Sequence, residues 1–136
     1  MLEGSQLTLQ GDGTHTRRFL YAGDAADAID TILHKGVNGE IYNIDSCYEV
    51  QNREVATYIL DLFGHDPVSE FNEHVRWIPD RPFNDNDYCV DGNKLNSLGW
   101  KQRVDFQSGL AMTVEWYKKN GSLWWHHLPE QKGKLP

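Results

Sequence analysis

No run of eighteen apolar residues occurs in the 136-residue sequence, so no segment of it can cross a bilayer as a helix. The opening MLEGSQLTLQGDG has neither the basic nor the apolar region of a secretory signal, and a cytoplasmic, membrane-free chain is expected. Cysteine is scarce. Cys47 and Cys89, 42 positions apart and without CxxC or Cys/His spacing, read as free buried thiols rather than a disulfide framework or a zinc site. The six histidines are scattered apart from His126-His127, a pair read as a tail feature, so no metal site is expected. Positive charge is scarce as well. Thirteen basic against twenty acidic residues leave a net charge of −7 with no basic stripe, which excludes the electrostatic footprint of a nucleic-acid binder. A small anionic ligand remains compatible, because a few arginines can make a local positive site inside an acidic protein.

Catalytic signatures are missing too. None of the twelve glycines falls into GxGxxG or GxxGxxG, the spacings that let a dinucleotide pyrophosphate approach a helix N-terminus. The six tyrosines, at 21, 42, 48, 58, 88 and 117, are followed four residues later by Ala, Ser, Asn, Leu, Gly and Gly. No Tyr/Lys pair one helical turn apart is therefore present to depress a phenol pKa. GxSxG and HExxH are absent. No catalytic and no cofactor-binding residue is assigned within this chain.

What is present is the composition of an ordinary globular unit, 39% apolar with twelve glycines, and enough length for one modest core. Leu7 to Gln10 reads as a strand entering the Gly11-Asp12-Gly13 turn, and Arg17 to Tyr21 as extended. Ala25, Ala28, Ile29, Ile32 and Leu33 recur at helical spacing, with Asp24 placed to cap the start and Gly36 past the end. Glu40 to Ile44 is a strand candidate after Asn38-Gly39. Asn52 can cap a second helix whose stripe is Val55, Ala56, Ile59, Leu60 and Phe63, closed by Gly64. Val75 to Ile78 reads as a strand stopped by Pro79, followed by a polar loop over Arg81 to Tyr88. A short helix over Lys94 to Leu98 and a longer one from Asp105 or Phe106 to Asn120, ended by Gly121, complete a mixed α/β pattern. The strands are too few for a whole doubly wound sheet, so the chain reads as part of a fold.

Among polar groups, Arg17 lies on an extended segment and Arg81 is held between Pro79 and Pro82. An arginine fork matches diphosphate oxygens bidentately. Read alone, Arg17 fits a surface ion pair better than a phosphate contact, whereas the stiff prolines leave the two readings of Arg81 even. Asn52 reads first as a helix cap.

Taken in order, Leu9-Gln10-Gly11-Asp12-Gly13, Arg17-Arg18-Phe19-Leu20-Tyr21, Asp24, Gly39-Glu40-Ile41-Tyr42-Asn43-Ile44, Asp80-Arg81-Pro82-Phe83-Asn84-Asp85, Leu98-Gly99-Trp100 and Thr113-Val114-Glu115-Trp116-Tyr117 resemble nucleotide-diphosphate-glucose 4,6-dehydratases. The resemblance runs from about residue 7 to residue 125. Arg-Pro-Phe-Asn-Asp and Trp124-Trp125 are most similar to the UDP-glucose enzymes of plant rhamnose synthesis, with the dTDP-glucose enzymes close behind. It implies the C-terminal substrate-binding lobe of an extended short-chain dehydrogenase, a Rossmann-type α/β fold, without the N-terminal dinucleotide-binding half. Residues 1–125 would form this partial domain and 126–136 a flexible tail.

The implied activity of the complete enzyme is conversion of a nucleotide-diphosphate glucose to its 4-keto-6-deoxy product through tightly bound NAD. The NAD site and the catalytic groups would lie in the other half, and the complete enzyme would be a homodimer. The resemblance assigns substrate contacts to Arg17, Asn52, Arg81 and Asn84. Two positions depart from the pattern. Asp45 stands where a glycine with positive φ is expected, and Asp87 stands where an arginine is common and would weaken a diphosphate site. The alternatives are a stand-alone nucleotide-sugar-binding or regulatory module without chemistry, and a decarboxylase or epimerase fragment of the same superfamily.

Overall fold

The computed structural model describes residues 6–83, 85 and 87–125; Asn84 and the 126–136 tail, with His126-His127, lie outside the described residues. In chain order the elements are β1 (Leu7–Gln10), β2 (Thr16–Arg18), α1 (Ala22–Lys35), β3 (Glu49–Gln51), α2 (Asn52–Leu62), α3 (Phe71–His74), β4 (Val75–Ile78), α4 (Asn93–Ser97) and α5 (Phe106–Trp125). Two two-stranded ribbons carry the mixed α/β architecture. β1 pairs parallel with β4, Leu7 opposite Val75 and Gln10 opposite Ile78, while β2 pairs antiparallel with β3, Arg17 opposite Val50. No helix among the described residues is long and apolar enough to cross a membrane.

The turn after β1 is built as its residues dictate. Gly11 and Gly13 take φ of 61° and 76°, a region open to glycine, and the Asp12 carboxylate accepts hydrogen bonds from Thr14 N and Oγ1 at 3.0 and 2.6 Å. That turn also starts α2. Asn52 N donates to His15 O and Arg53 N to Gly13 O, each at 3.0 Å, which satisfies two of the donors a helix N-terminus leaves without intrahelical partners.

Among the described residues the interior divides into two clusters rather than the single core expected from chain length, one built on the β1–β4 ribbon and one between helices. Leu9, Ala56, Leu60, Phe71 and Val75 join α2 and α3 to β1 and β4. Ala28, Leu95 and Trp100 join α1 to α4, with Tyr42 and Ile44 packed alongside.

Several sequence expectations change. Asp24 does not cap α1, which begins at Ala22. Its carboxylate is buried and accepts backbone N–H bonds from Arg103 (3.1 Å) and Val104 (2.9 Å). Asn52 is the first helical residue of α2, and the cap is Gln51, whose capping box is closed by Glu54 Oε2 accepting from Gln51 N at 2.9 Å. Glu40 to Ile44 alternates as a strand would, with Ile41 outward and Tyr42 and Ile44 inward, but no described strand lies beside it and no ladder forms. Gly121 does not end α5. It is buried within the helix, which continues to Trp125. Cys47 and Cys89 are free as expected, but exposed rather than buried. Asp45 is not at positive φ, since no described residue other than glycine is.

Candidate functional site

The ribbon of β2 and β3 separates its two arginines by the alternation of side chains along a strand. Arg18 turns to Glu49, its Nη2 donating to Oε2 at 2.7 Å, and to the Ser46 carbonyl at 3.3 Å. Arg17 turns the other way. Its guanidinium carbon lies 4.8 Å from the centre of the Tyr88 ring, in cation–π range, and Nη1 donates to Thr16 O at 2.6 Å.

Tyr88 brings the second arginine into the site. The Asp85 carboxylate accepts the phenol's hydrogen bond, and this bond together with the Asp85 charge holds the Tyr88 pKa above its ordinary value of 10. The positive charges of Arg17 and Arg81 act in the opposite direction on the same phenol. Two arginines 64 positions apart in sequence thus both act electrostatically on one exposed phenol, with Arg17 alone seated over its ring. At the base of Arg81, Arg81 N donates to Asp80 Oδ1 at 2.8 Å, and Asp80 Oδ2 lies 3.4 Å from His15 Nε2. The His15 contact ties the start of the 79–88 loop to the turn that precedes β2.

Of the residues singled out in sequence, Arg17 and Arg81 therefore both place positive charge within electrostatic reach of the Tyr88 phenol. Asn52 stands at the first turn of α2, its backbone fixed to His15, and Asn84 lies outside the described residues. Tyr88 was not singled out. Its signal was Asp85 three residues earlier in the polar loop. The arrangement offers two guanidinium forks, an aromatic face and an amide, groups suited to a diphosphate with its base or ribose. Asp85 offsets part of that positive charge. A cleft of about 460 Å³ elsewhere is lined by Glu49, Glu54 and Asp105 with Tyr48, Tyr58 and Phe106. Its three carboxylates would repel a diphosphate, so the cleft does not suit that ligand.

The sequence profile of the GDP-mannose 4,6-dehydratase family matches residues 1–113. A trifunctional UDP-glucose 4,6-dehydratase/UDP-4-keto-6-deoxy-D-glucose 3,5-epimerase/UDP-4-keto-L-rhamnose-reductase of Arabidopsis thaliana is 40% identical over 124 residues, 91% of this chain and 18% of the relative. The dTDP-D-glucose 4,6-dehydratase of Mus musculus is 40% identical over 117 residues, 85% of this chain and 33% of the relative. Among solved structures, the dTDP-glucose 4,6-dehydratase from Streptomyces venezuelae with NAD bound superposes with a TM-score of 0.81 at 38% identity, covering 94% of this chain and 38% of that one. A UDP-glucose 4-epimerase from Thermotoga maritima with UDP-glucose follows at 0.76 and 26%, covering 88% and 37%. The chain spans about a third or less of the length of these relatives.

Proposed function

The chain belongs to the GDP-mannose 4,6-dehydratase family, and from that premise we propose that it supplies nucleotide-sugar binding to a 4,6-dehydratase acting on UDP-glucose or dTDP-glucose. The observation that supports this reading is that Arg17, seated over the Tyr88 ring, and Arg81 both exert their positive charge on the same phenol. The mixed α/β fold is that of part of an extended short-chain dehydrogenase, and the solved dehydratase relative contains NAD. NAD is accordingly the cofactor proposed for the complete enzyme. This chain's residues do not fit it, because no glycine spacing here would cradle a pyrophosphate. When bound in the complete enzyme, NAD would supply reversible hydride transfer.

The role of this chain is to hold the nucleotide end of the substrate still while chemistry proceeds elsewhere. Arg17 and Arg81 neutralise the diphosphate. Asn52 and Asn84 supply amide groups for its base, ribose or phosphate oxygens. Binding energy from such remote groups orients the sugar against the reacting groups. Dehydratase rather than epimerase is favoured by Asp80-Arg81-Pro82-Phe83-Asn84-Asp85 and by 38% against 26% identity among the solved relatives. A cytoplasmic location and a homodimeric complete enzyme belong to the same proposal.

The test is titration of the purified chain with UDP-glucose and dTDP-glucose, followed by NMR, and then assay for the 4-keto product after adding NAD. Saturable binding without product is expected. Product formation by this chain alone, or no binding of either nucleotide sugar, would overturn the reading.

A further inference from the structure

The histidines that look scattered in the sequence do not stay scattered. α2 closes with Gly64 at φ 81°, Gly64 N donating to Asp61 O at 2.9 Å and His65 N to Leu60 O at 3.0 Å. This closing turn fixes His65 at the end of the helix. The chain then folds back through Asp66, whose carboxylate accepts from Val68 N at 2.9 Å and Ser69 Oγ at 2.5 Å, and Glu70 N donates to Asp66 O at 2.9 Å. Glu70, the N-cap of α3, and His74, its last residue, stand four positions apart, which brings their side chains to one side.

The result is three donor side chains around one point. His65 Nδ1 lies 2.9 Å and His74 Nε2 3.5 Å from Glu70 Oε2, and all three potential ligand atoms lie within 4.8 Å of one another. The imidazole centroids are 3.8 Å apart. A tetrahedral zinc ion with bonds of about 2.0–2.1 Å to nitrogen and oxygen sets its ligands about 3.3 Å apart. The two distances to Oε2 bracket that value, and the imidazole nitrogens, within 4.8 Å of each other, would close on an ion by side-chain rotation. The side chains are 33%, 38% and 30% exposed, which gives an ion an entry path and leaves a fourth position for water.

We infer that His65, Glu70 and His74 form a binding site for a divalent transition-metal ion of the zinc class, which staples the end of α2 to α3. Two imidazoles and one carboxylate form a ligand set suited to zinc, and to copper and nickel by the usual affinity order, while magnesium and calcium prefer oxygen alone. His74 directly precedes Val75, the first residue of β4, and β4 leads through Pro79 and Asp80 to Arg81. The staple therefore anchors the strand that delivers Arg81. The competing state of the same trio is a hydrogen-bonded cluster in which protons alone join the histidines to Glu70.

The two states separate in a zinc competition assay with a chromophoric chelator, using the full chain with His126 and His127 both replaced by Gln to remove the tail pair. One equivalent of zinc is expected to bind and to raise the thermal midpoint. His74→Gln and Glu70→Gln should each weaken zinc at least about a hundredfold, more than loss of a supporting outer group would, whereas His34→Gln should leave it unchanged. Because a variant can fail to fold, the imidazole NMR signals of the unsubstituted trio supply a second readout, and zinc should shift two ring systems, those of His65 and His74. Absence of stoichiometric uptake, uptake unchanged by His74→Gln, or shifts confined to other histidines would overturn the site and leave the proton-bridged cluster.

Discussion

Where the chain enters α4, a carboxylate lies against a glycine: a Cβ on Gly92 would collide with the Asp45 carboxyl group. The two residues are 47 positions apart, and nothing in the sequence pairs them. Gly92→Ala should therefore cost about 1–3 kcal/mol, the usual range for overpacking. Asp45→Gly in the same chain should recover most of it, and a double-mutant cycle by denaturant unfolding measures the coupling. Additive losses would show that Asp45 moves aside freely. The same contact explains why sequence reasoning misjudged Asp45. A family glycine suggests a left-handed backbone, but the position has none here, and what matters is the room above Gly92. Arg17 and Arg18, by contrast, were legible, since strand alternation alone sends neighbours to opposite faces. Acid stability is also decided at this scale. Hydrogen bonds to Thr14, Ser69, His65 and Ser108 hold Asp12, Asp66, Glu70 and Asp105 below their ordinary values. A depressed carboxylate contributes stability above its unfolded pKa that is lost as pH falls through the lower folded value. Unfolding free energy should thus decline as pH drops below about 4.5, and an unchanged stability at pH 3 would contradict this assignment.

Helices whose apolar stripes face a cluster within this chain were readable to within two residues at α1 and α2, because their period and glycine stops are local signals. Caps were less readable. Asp24 has the composition of a cap, yet it serves the backbone of Arg103 and Val104 seventy-nine and eighty residues away. Asp24→Ala leaves those two N–H groups without their acceptor and should destabilise the chain by about 2–4 kcal/mol. Asp27→Ala, which removes an exposed ion pair with Arg103, should cost no more than about 1 kcal/mol. Chemical denaturation of the two variants checks the contrast, and equal losses would mean that the buried carboxylate is not the organising group. The 40–44 segment failed as a strand for a different reason. A ladder needs a neighbour, and periodicity cannot say whether one exists. Gly121 likewise carries a stop signal that α5 runs through, since a glycine inside a helix costs only about 1 kcal/mol.

At the scale of the whole molecule, α1 exposes Ile29 and Leu33, and α5 exposes Trp116, Leu123 and Trp124. Such faces on two helices are what a part of a larger fold presents, and each large apolar side chain left in water forgoes about 1.5–3 kcal/mol. The isolated chain should accordingly unfold at low temperature or over a broad range in calorimetry; a sharp transition at high temperature would favour a self-sufficient binding module. That the chain is part of a dehydratase fold was legible from short motifs in order, whereas the seating of Arg17 over Tyr88 of the 79–88 loop is specified by no local pattern. The central claim is that these two arginines, and not Arg18, hold the diphosphate. Its most direct test is nucleotide-sugar titration of Arg17→Ala, Arg81→Ala, Arg17→Lys and Arg18→Ala, with circular dichroism to confirm folding. Loss of a charge-assisted hydrogen bond of about 1.5–3 kcal/mol predicts a roughly ten- to hundredfold fall in affinity for Arg17→Ala and Arg81→Ala. Arg17→Lys should recover part of that loss and Arg18→Ala should retain the unsubstituted affinity. Equal losses at Arg17 and Arg18, or none at Arg17 and Arg81, would contradict the account.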